Sequence, residues 1–285
     1  MTPIIIRTKD RPHYLHTTLK SLMGTELSDG LVIIADDCST DETTNNYLFT
    51  DKIIKFKDFT WTDELNNEIT QKGNIFSKSK DLNKSNQEIW DTYIGNIPIE
   101  TYALGLKNKF NIIQPKENKG VKAGLLWTIN AGFTLFRNVE KIVILEDDLI
   151  FNKDWLKVSN LIYEREKMTN LGCISVYNRE ISQMDNALYT ERQKIGGVMY
   201  MIPRKVFNLM KDDDLFSLTF SKENNIGGDV FFLEWLVSRG LKILNSSSSY
   251  IQHIGIKSLS RPGRFLRYSV NFIQPYAWDR KFDYE

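Results

Sequence analysis

Three short apolar runs, each ending abruptly in polar or charged residues, limit the folds that this chain can adopt. They comprise residues 3–6, 31–35 and 142–145. Apolar runs of this kind, separated by segments with apolar residues at helical spacing, are typical of parallel strands that helices cover on both faces. Right-handed crossovers bring the carboxyl ends of such strands to one sheet edge, where open α/β sheets bind ligands. We therefore predict an α/β fold with a mostly parallel sheet flanked by helices.

The length and composition allow one large domain. The chain has 285 residues, of which 41% are hydrophobic and 26% charged, enough apolar surface for a sizeable core. Residues 51–110 interrupt the alternation of strands and helices, and we interpret them as an insertion. The predicted organisation is a domain over residues 1–255 with this insertion, followed by a basic, aromatic segment over residues 256–285 that packs on it.

Charge and cysteine content narrow the class of protein. The net charge is 37 − 36 = +1, so no overall positive field attracts nucleic acid or an anionic membrane, and such a partner would need a local patch. The amino terminus shows no export signal, and no apolar run approaches the roughly 18 residues that would span a bilayer. We expect a soluble cytoplasmic protein in which Cys38 and Cys173 stay reduced.

The strongest chemical signal is the triplet Glu146-Asp147-Asp148, which follows the third apolar run directly. Adjacent carboxylates repel one another, so the arrangement is unfavourable unless a cation or hydrogen-bond donors gather there. A hard divalent cation that also contacts substrate phosphates would fit. The alternative is a strand that ends in solvated acids capping a turn.

A second acidic segment, residues 36–41, follows the second apolar run. A carboxylate here could accept a hydrogen bond from a nucleobase N–H or a ribose hydroxyl. The alternative is a turn in which Ser39 or Thr40 caps the next helix. Both acidic segments are expected at the same edge of the sheet.

The two acidic segments, followed in order by residues 173–178, 196–200 and 228–235, resemble nucleotide-sugar glycosyltransferases with the GT-A fold. The resemblance is to family-2-type enzymes and to the N-acetylglucosaminyltransferase I group, whose metal motif is also Glu-Asp-Asp. It covers about residues 3–50 and 114–255. It implies metal-dependent transfer of a sugar from a nucleoside-diphosphate sugar, most simply a UDP-sugar, to a hydroxyl of a glycan or glycoconjugate, with Mn2+ or Mg2+.

The same resemblance assigns residues to the donor. It places Asp37 at the uracil, Arg11 near the base or a phosphate, and Asp147 at the ribose. Glu146 would orient the ribose or the donor sugar. Gly197, in a Gly-Gly pair, would let the backbone approach the donor sugar closely; the alternative is a simple turn.

The resemblance also assigns the metal ligands and the base. Asp148 would ligate the metal directly, and His253 would contact the metal or the diphosphate, although a lone histidine between apolar residues is more often a packing residue. Asp229 would take the proton of the acceptor hydroxyl in one in-line displacement that inverts the anomeric centre. The alternative for Asp229 is a helix cap.

Three other functions remain open from the sequence. The basic, aromatic segment 256–285 is compatible with a phage-type DNA glycosyltransferase acting on a hydroxymethylated base. A nucleotidyltransferase would also set acids at strand ends, but residues 8–12 lack the glycine-rich basic loop that such enzymes carry. The third is an inactive binding module with this fold.

Overall fold

The computed structural model describes residues 1–27, 30–56, 97, 101–178, 187–220, 228–255, 272–273, 276–279 and 281–282. The strands in these ranges are β1 (Thr2–Thr8), β2 (Gly30–Asp36), β3 (Ile53–Lys55), β4 (Tyr102–Leu104), β5 (Asn111–Ile113), β6 (Lys141–Glu146), β7 (Leu149–Phe151), β8 (Leu171–Ser175), β9 (Tyr189–Arg192), β10 (Met199–Pro203), β11 (Lys242–Ser246) and β12 (Ile251–His253). The helices are α1 (Pro12–Met23), α2 (Glu42–Phe49), α3 (Gly120–Leu135), α4 (Trp155–Glu166), α5 (Arg204–Asp212) and α6 (Gly228–Ser238), with a 3-10 helix at Leu215–Phe220.

A central sheet of eight strands has the order β5-β2-β1-β6-β10-β8-β11-β9. The neighbours from β5 to β6 are parallel, as are β8 and β11, whereas β10 is antiparallel to both its neighbours and β9 is antiparallel to β11. The prediction of an α/β fold with a mostly parallel sheet is confirmed.

The central strands are covered on both faces, which explains why their sequences are almost entirely apolar. Ile4 and Ile6 are fully buried in a cluster that includes residues of α1, α2 and α4. Ile5, which points to the opposite face, is fully buried in a second cluster with residues of α3, α5 and α6. Burying an isoleucine side chain contributes about 1.5–3 kcal/mol, so these alternating contacts hold β1 in the centre of the sheet.

The strand register sets the edge at which the acidic segments meet. Thr8 at the end of β1 lies opposite Asp36 at the end of β2, and Arg7 lies opposite Glu146 at the end of β6. Because β10 runs antiparallel to β6, its first residue, Met199, lies opposite Leu145 at the same edge. We call this side of the sheet the carboxyl edge.

The start of α2 corrects the predicted helix cap. Asp41, and not Ser39 or Thr40, caps the helix, since its carboxylate accepts a hydrogen bond of 2.8 Å from the amide of Thr44. The hydroxyl of Ser39 instead donates to Asp36 at 2.5 Å and accepts from the amide of Asp10 at 2.8 Å. Ser39 therefore joins the loops that follow β1 and β2.

The two ends of the predicted insertion form an antiparallel pair, β3 with β4, while residues 57–96 and 98–100 lie outside the described residues. Part of the carboxyl-terminal segment packs on α1 and β7. The amide of Asp279 donates to the carbonyl of Lys20 at 2.9 Å, and that of Ala277 to the carbonyl of Phe151 at 2.6 Å. Residues 256–271 of this segment lie outside the described residues. Among the described helices, none is long and apolar enough to cross a membrane.

Candidate active site

The acidic triplet occupies the turn from β6 to β7, and α1 fixes that turn. The amide of Glu146 donates to the carbonyl of Val198 at 3.0 Å. The hydroxyl of Thr18 donates to the carbonyl of Asp147 at 2.6 Å and accepts from the amide of Leu149 at 2.9 Å. Backbone contacts on both sides therefore hold the three acids at the carboxyl edge.

Pairing of β12 with β7 brings His253 to the acids. His253 lies opposite Leu149, and the amide of Ile254 donates to the carbonyl of Asp148 at 2.9 Å. His253 Nε2 is 3.3 Å from Asp148 Oδ1. Ligand atoms of Glu146, Asp148 and His253 all lie within 4.8 Å of one another. We call these three residues the ligand cluster.

The ligand cluster fits a divalent cation. Carboxylate oxygens suit Mg2+ and Mn2+, and an imidazole nitrogen adds a ligand that first-row transition ions accept. Asp148 Oδ1 and His253 Nδ1 are buried, and within the described part of the chain no hydrogen bond of good geometry reaches either atom, although His253 Nε2 lies within ion-pair distance of Oδ1. A buried carboxylate oxygen with so long a donor contact is unfavourable, and a cation beside His253 would reduce that cost.

Arg11 binds two of the three acids. Its guanidinium donates to Asp148 Oδ2 at 2.8 Å and also to Asp147 Oδ1. The second oxygen of Asp147 accepts from the hydroxyl of Thr8 at 2.6 Å. Asp147 is fully buried, so its two oxygens face protein donors. The sequence analysis expected a cation or hydrogen-bond donors beside the triplet and considered a divalent metal, but it did not predict that Arg11 pairs with these acids.

Burial and mutual repulsion alter the pKa values of the acids. Burial raises the pKa of Glu146 to about 7, with Asp148 adding to the effect, and raises the pKa of Asp147 to about 6. Burial acts in the same direction on Asp148, but His253 and Arg11 hold the pKa of Asp148 well below its usual range. The cluster thus has one carboxylate with a strong preference for the ionised form, next to His253.

Asp37 lies across β1 from the ligand cluster and caps the amino terminus of α3. Its carboxylate accepts from the amides of Lys119 at 2.7 Å and Gly120 at 2.8 Å. Burial raises the pKa of Asp37, while these amide bonds act to lower it. The sequence allowed for a cap in this segment but placed it on the following helix, α2. The uracil contact of Asp37 stays a prediction.

Gly197 and Asp229 each adjoin a residue that contacts the carboxyl edge. Gly197 lies in a turn before β10, next to Val198, whose carbonyl accepts from Glu146. Asp229 is the second residue of α6. A β-carbon on the preceding Gly228 would lie 2.7 Å from the carbonyl oxygen of Val121, an oxygen that also accepts from Arg7 at 3.1 Å. The start of α6 is therefore packed against the start of α3.

The fold is similar to that of solved glycosyltransferases. The chain matches S. aureus TarS with a TM-score of 0.48 and 15% identity, covering 88% of this chain and 36% of that one. It matches residues 1–349 of TarS in complex with UDP-GlcNAc with a TM-score of 0.47 and 14% identity, covering 88% of this chain and 58% of that one. It matches the mannosyltransferase PcManGT from Pyrobaculum calidifontis, in complex with GDP-Man and Mn2+, with a TM-score of 0.44 and 12% identity. The match covers 86% of this chain and 56% of that one. The chain thus spans only part of each of these proteins. No protein-family model and no curated protein matches it.

The structure therefore brings some of the candidate residues into contact and leaves others apart. Those in direct contact or within the ligand cluster are Arg11, Glu146, Asp147, Asp148 and His253. Asp37 and Gly197 flank them along the carboxyl edge. The roles of all these residues in catalysis and binding stay predictions.

Proposed function

We propose that the chain is a metal-dependent, inverting glycosyltransferase that moves a sugar from a UDP-sugar to a hydroxyl of a glycan or glycoconjugate. The observation that carries the proposal is the ligand cluster of Glu146, Asp148 and His253 at the carboxyl edge. Open α/β sheets bind ligands at this edge, and the cluster offers oxygen and nitrogen ligands together.

The metal chemistry follows from the leaving group. When bound, a divalent cation would offset the negative charge that grows on the departing diphosphate. In this proposal Asp148 holds the cation through Oδ1, His253 binds it from β12, and Glu146 contacts the cation or the donor sugar. Gly197, before β10, would let the backbone approach the sugar closely.

The nucleotide would lie along the ends of β1 and β2, with its base at Asp37. Hydrogen bonds from two backbone amides fix the carboxylate of Asp37 at the start of α3. A base N–H can still be accepted, because each carboxylate oxygen has more than one acceptor site. Lys119 and Gly120 thus orient the group that would recognise the uracil.

The acceptor would be activated by Asp229 at the start of α6. Its carboxylate would take the proton of the acceptor hydroxyl while that oxygen attacks the anomeric carbon. The bond from the anomeric carbon to the diphosphate breaks in the same step, so the configuration inverts. Packing of Gly228 against Val121 supports this role, since it places the start of α6 beside the start of α3, where Asp37 would bind the base of the sugar donor.

The test is thermal unfolding of the protein with nucleoside diphosphates and nucleotide sugars, each with and without Mn2+. Ligands that bind the folded state raise its apparent stability. We expect a rise in Tm with UDP and UDP-sugars that requires Mn2+ and that is lost in Asp148→Asn. The control Asp154→Asn changes an acid outside the ligand cluster and should respond like the wild type.

Two results would contradict the proposal. One is the lack of any nucleotide-dependent rise in Tm, which would favour a binding module without activity. The other is release of pyrophosphate in place of a nucleoside diphosphate during turnover, which would identify a nucleotidyltransferase.

A further inference from the structure

Arg11 lies where the loop after β1 enters α1, and its side chain reaches two acids of the triplet. The backbone carbonyl of Arg11 accepts from the amide of Leu15 at 3.1 Å, which anchors the residue at the first turn of the helix. Its side chain is only 16% exposed. The backbone of Arg11 is therefore held by the helix, and its guanidinium contacts the carboxylates.

The guanidinium spans two carboxylates and not one. It donates to Asp148 Oδ2 at 2.8 Å and to Asp147 Oδ1, and both of these acids are buried. A buried carboxylate without a counter-charge is strongly destabilising, and two adjacent ones repel each other as well. Arg11 supplies a positive charge that contacts both of them.

Of the two oxygens of Asp148, Arg11 contacts Oδ2 and not Oδ1. Arg11 binds Oδ2, while Oδ1 faces His253 Nε2 at 3.3 Å. Oδ2 is enclosed further by Gly255, at which a β-carbon would overlap that oxygen. The two oxygens of Asp148 thus have separate neighbours: Oδ2 pairs with the Arg11 guanidinium, and Oδ1 faces His253.

We propose that Arg11 is the resident counter-charge of the acidic triplet, a positioning residue that keeps Asp147 and Asp148 in place when no metal is bound. The part of this inference that concerns the metal rests on the proposed function. The assignment differs from the base or phosphate contact that the family resemblance implies for Arg11. It predicts that the charge of Arg11 opposes cation binding, so that the metal stays exchangeable.

The experiment measures Tm at neutral pH in EDTA and in Mn2+, without nucleotide, for the wild type, Arg11→Gln and Arg11→Lys. In EDTA we expect Arg11→Gln to lower Tm by about 10 °C, because two buried carboxylates lose their partner. Arg11→Lys keeps the charge but cannot donate to both acids at once, so its Tm should lie between those of the wild type and Arg11→Gln. The control Arg239→Gln removes an exposed pair with Asp213 and should change Tm by no more than about 3 °C.

The response to Mn2+ separates a counter-charge from a merely structural residue. Without Arg11 the cation meets no competing positive charge and relieves more repulsion, so the rise in Tm caused by Mn2+ should be larger in Arg11→Gln than in the wild type. An unchanged Tm of Arg11→Gln in EDTA would overturn the inference. Where Mn2+ raises the Tm of the wild type, an equal or smaller rise in Arg11→Gln would overturn it as well.

A double variant covers the case in which Arg11→Gln does not fold. Adding Asp147→Asn removes one of the two unpaired carboxylates and should recover part of the lost Tm. No recovery would overturn the inference. If neither Mn2+ nor any nucleotide stabilises the wild type, the proposed function fails, whereas the comparison in EDTA still decides the role of Arg11.

Discussion

The imidazole Nε2 of His253 lies 3.3 Å from Oδ1 of Asp148, because β12 runs antiparallel to β7, which begins one residue after Asp148. The amide of Ile254 donates to the carbonyl of Asp148 at 2.9 Å, so the backbone sets the distance between the two residues. The pairing of β12 with β7 therefore brings these two residues next to each other.

The first prediction concerns the nitrogen ligand. His253→Gln should weaken Mn2+ binding at least about tenfold, since even indirect partners of metal ligands contribute that much. The affinity can be measured by titrating Mn2+ and following the free ion by electron paramagnetic resonance. His13→Gln, which changes a histidine of α1 outside the ligand cluster, is the control. Equal affinities in the two variants would remove His253 from the proposed site.

The sequence was sufficient to place the acids at one edge, and the reason is physical. The covered middle of a strand rarely contains charged residues, so the end of each apolar run marks the edge at which β1, β2 and β6 emerge. The register of Thr8 with Asp36 and of Arg7 with Glu146 confirms that these ends are neighbours.

The partners of the acids could not be predicted in the same way. β7 and β12 have three residues each, too few for a period to be detected, so the pairing that brings His253 to Asp148 leaves no local signal. The contact of Arg11 with Asp147 likewise depends on how α1 packs on the sheet. His253 was therefore a candidate only through the family resemblance, and the pairing of Arg11 was missed.

The second prediction concerns the base. Asp229→Asn should leave the Mn2+-dependent binding of a UDP-sugar unchanged and lower kcat of transfer by about 10²–10⁴, because only proton removal is lost. Donor binding is measured by calorimetry and transfer by release of UDP. If kcat is retained, the carboxylate at residue 229 serves as a helix cap and another group is the base.

The third prediction concerns the contact between α6 and α3. In Gly228→Ala the new β-carbon would lie 2.7 Å from the backbone of both Lys122 and Val121. Backbone atoms cannot rotate away, so we expect a loss of about 1–3 kcal/mol in the free energy of unfolding.

The control variant is Gly132→Ala, in which the added carbon meets the ends of the Ile5 and Ile142 side chains. Alanine also favours the interior of α3, so its loss should be smaller. Urea unfolding of both variants measures the difference, and a larger loss in Gly132→Ala would contradict this account.

The fourth prediction concerns Asp10, which joins the loops after β1 and β2. Its carboxylate accepts from the amides of Thr40 at 2.6 Å and Asp41 at 2.8 Å. Burial acts to raise the pKa of Asp10, but these amides and the neighbouring Lys9 hold it below the ordinary value of 3.8. A lowered pKa in the folded state means that the ionised form stabilises the fold above the unfolded pKa. This contribution is lost as the pH falls through the folded pKa.

Asp10→Asn tests this dependence without altering the backbone. Residue 10 has a φ of 52°, a left-handed conformation that asparagine adopts readily. At pH 7 the variant should be less stable than the wild type in urea unfolding, because a neutral amide oxygen is a weaker acceptor than a carboxylate. The difference should shrink as the pH is lowered from about 5 through the folded pKa, which lies below 3.8, because the wild-type carboxyl then also becomes neutral. A difference that stays constant over this range would show that the hydrogen-bond geometry of Asp10, and not its charge, stabilises the loop.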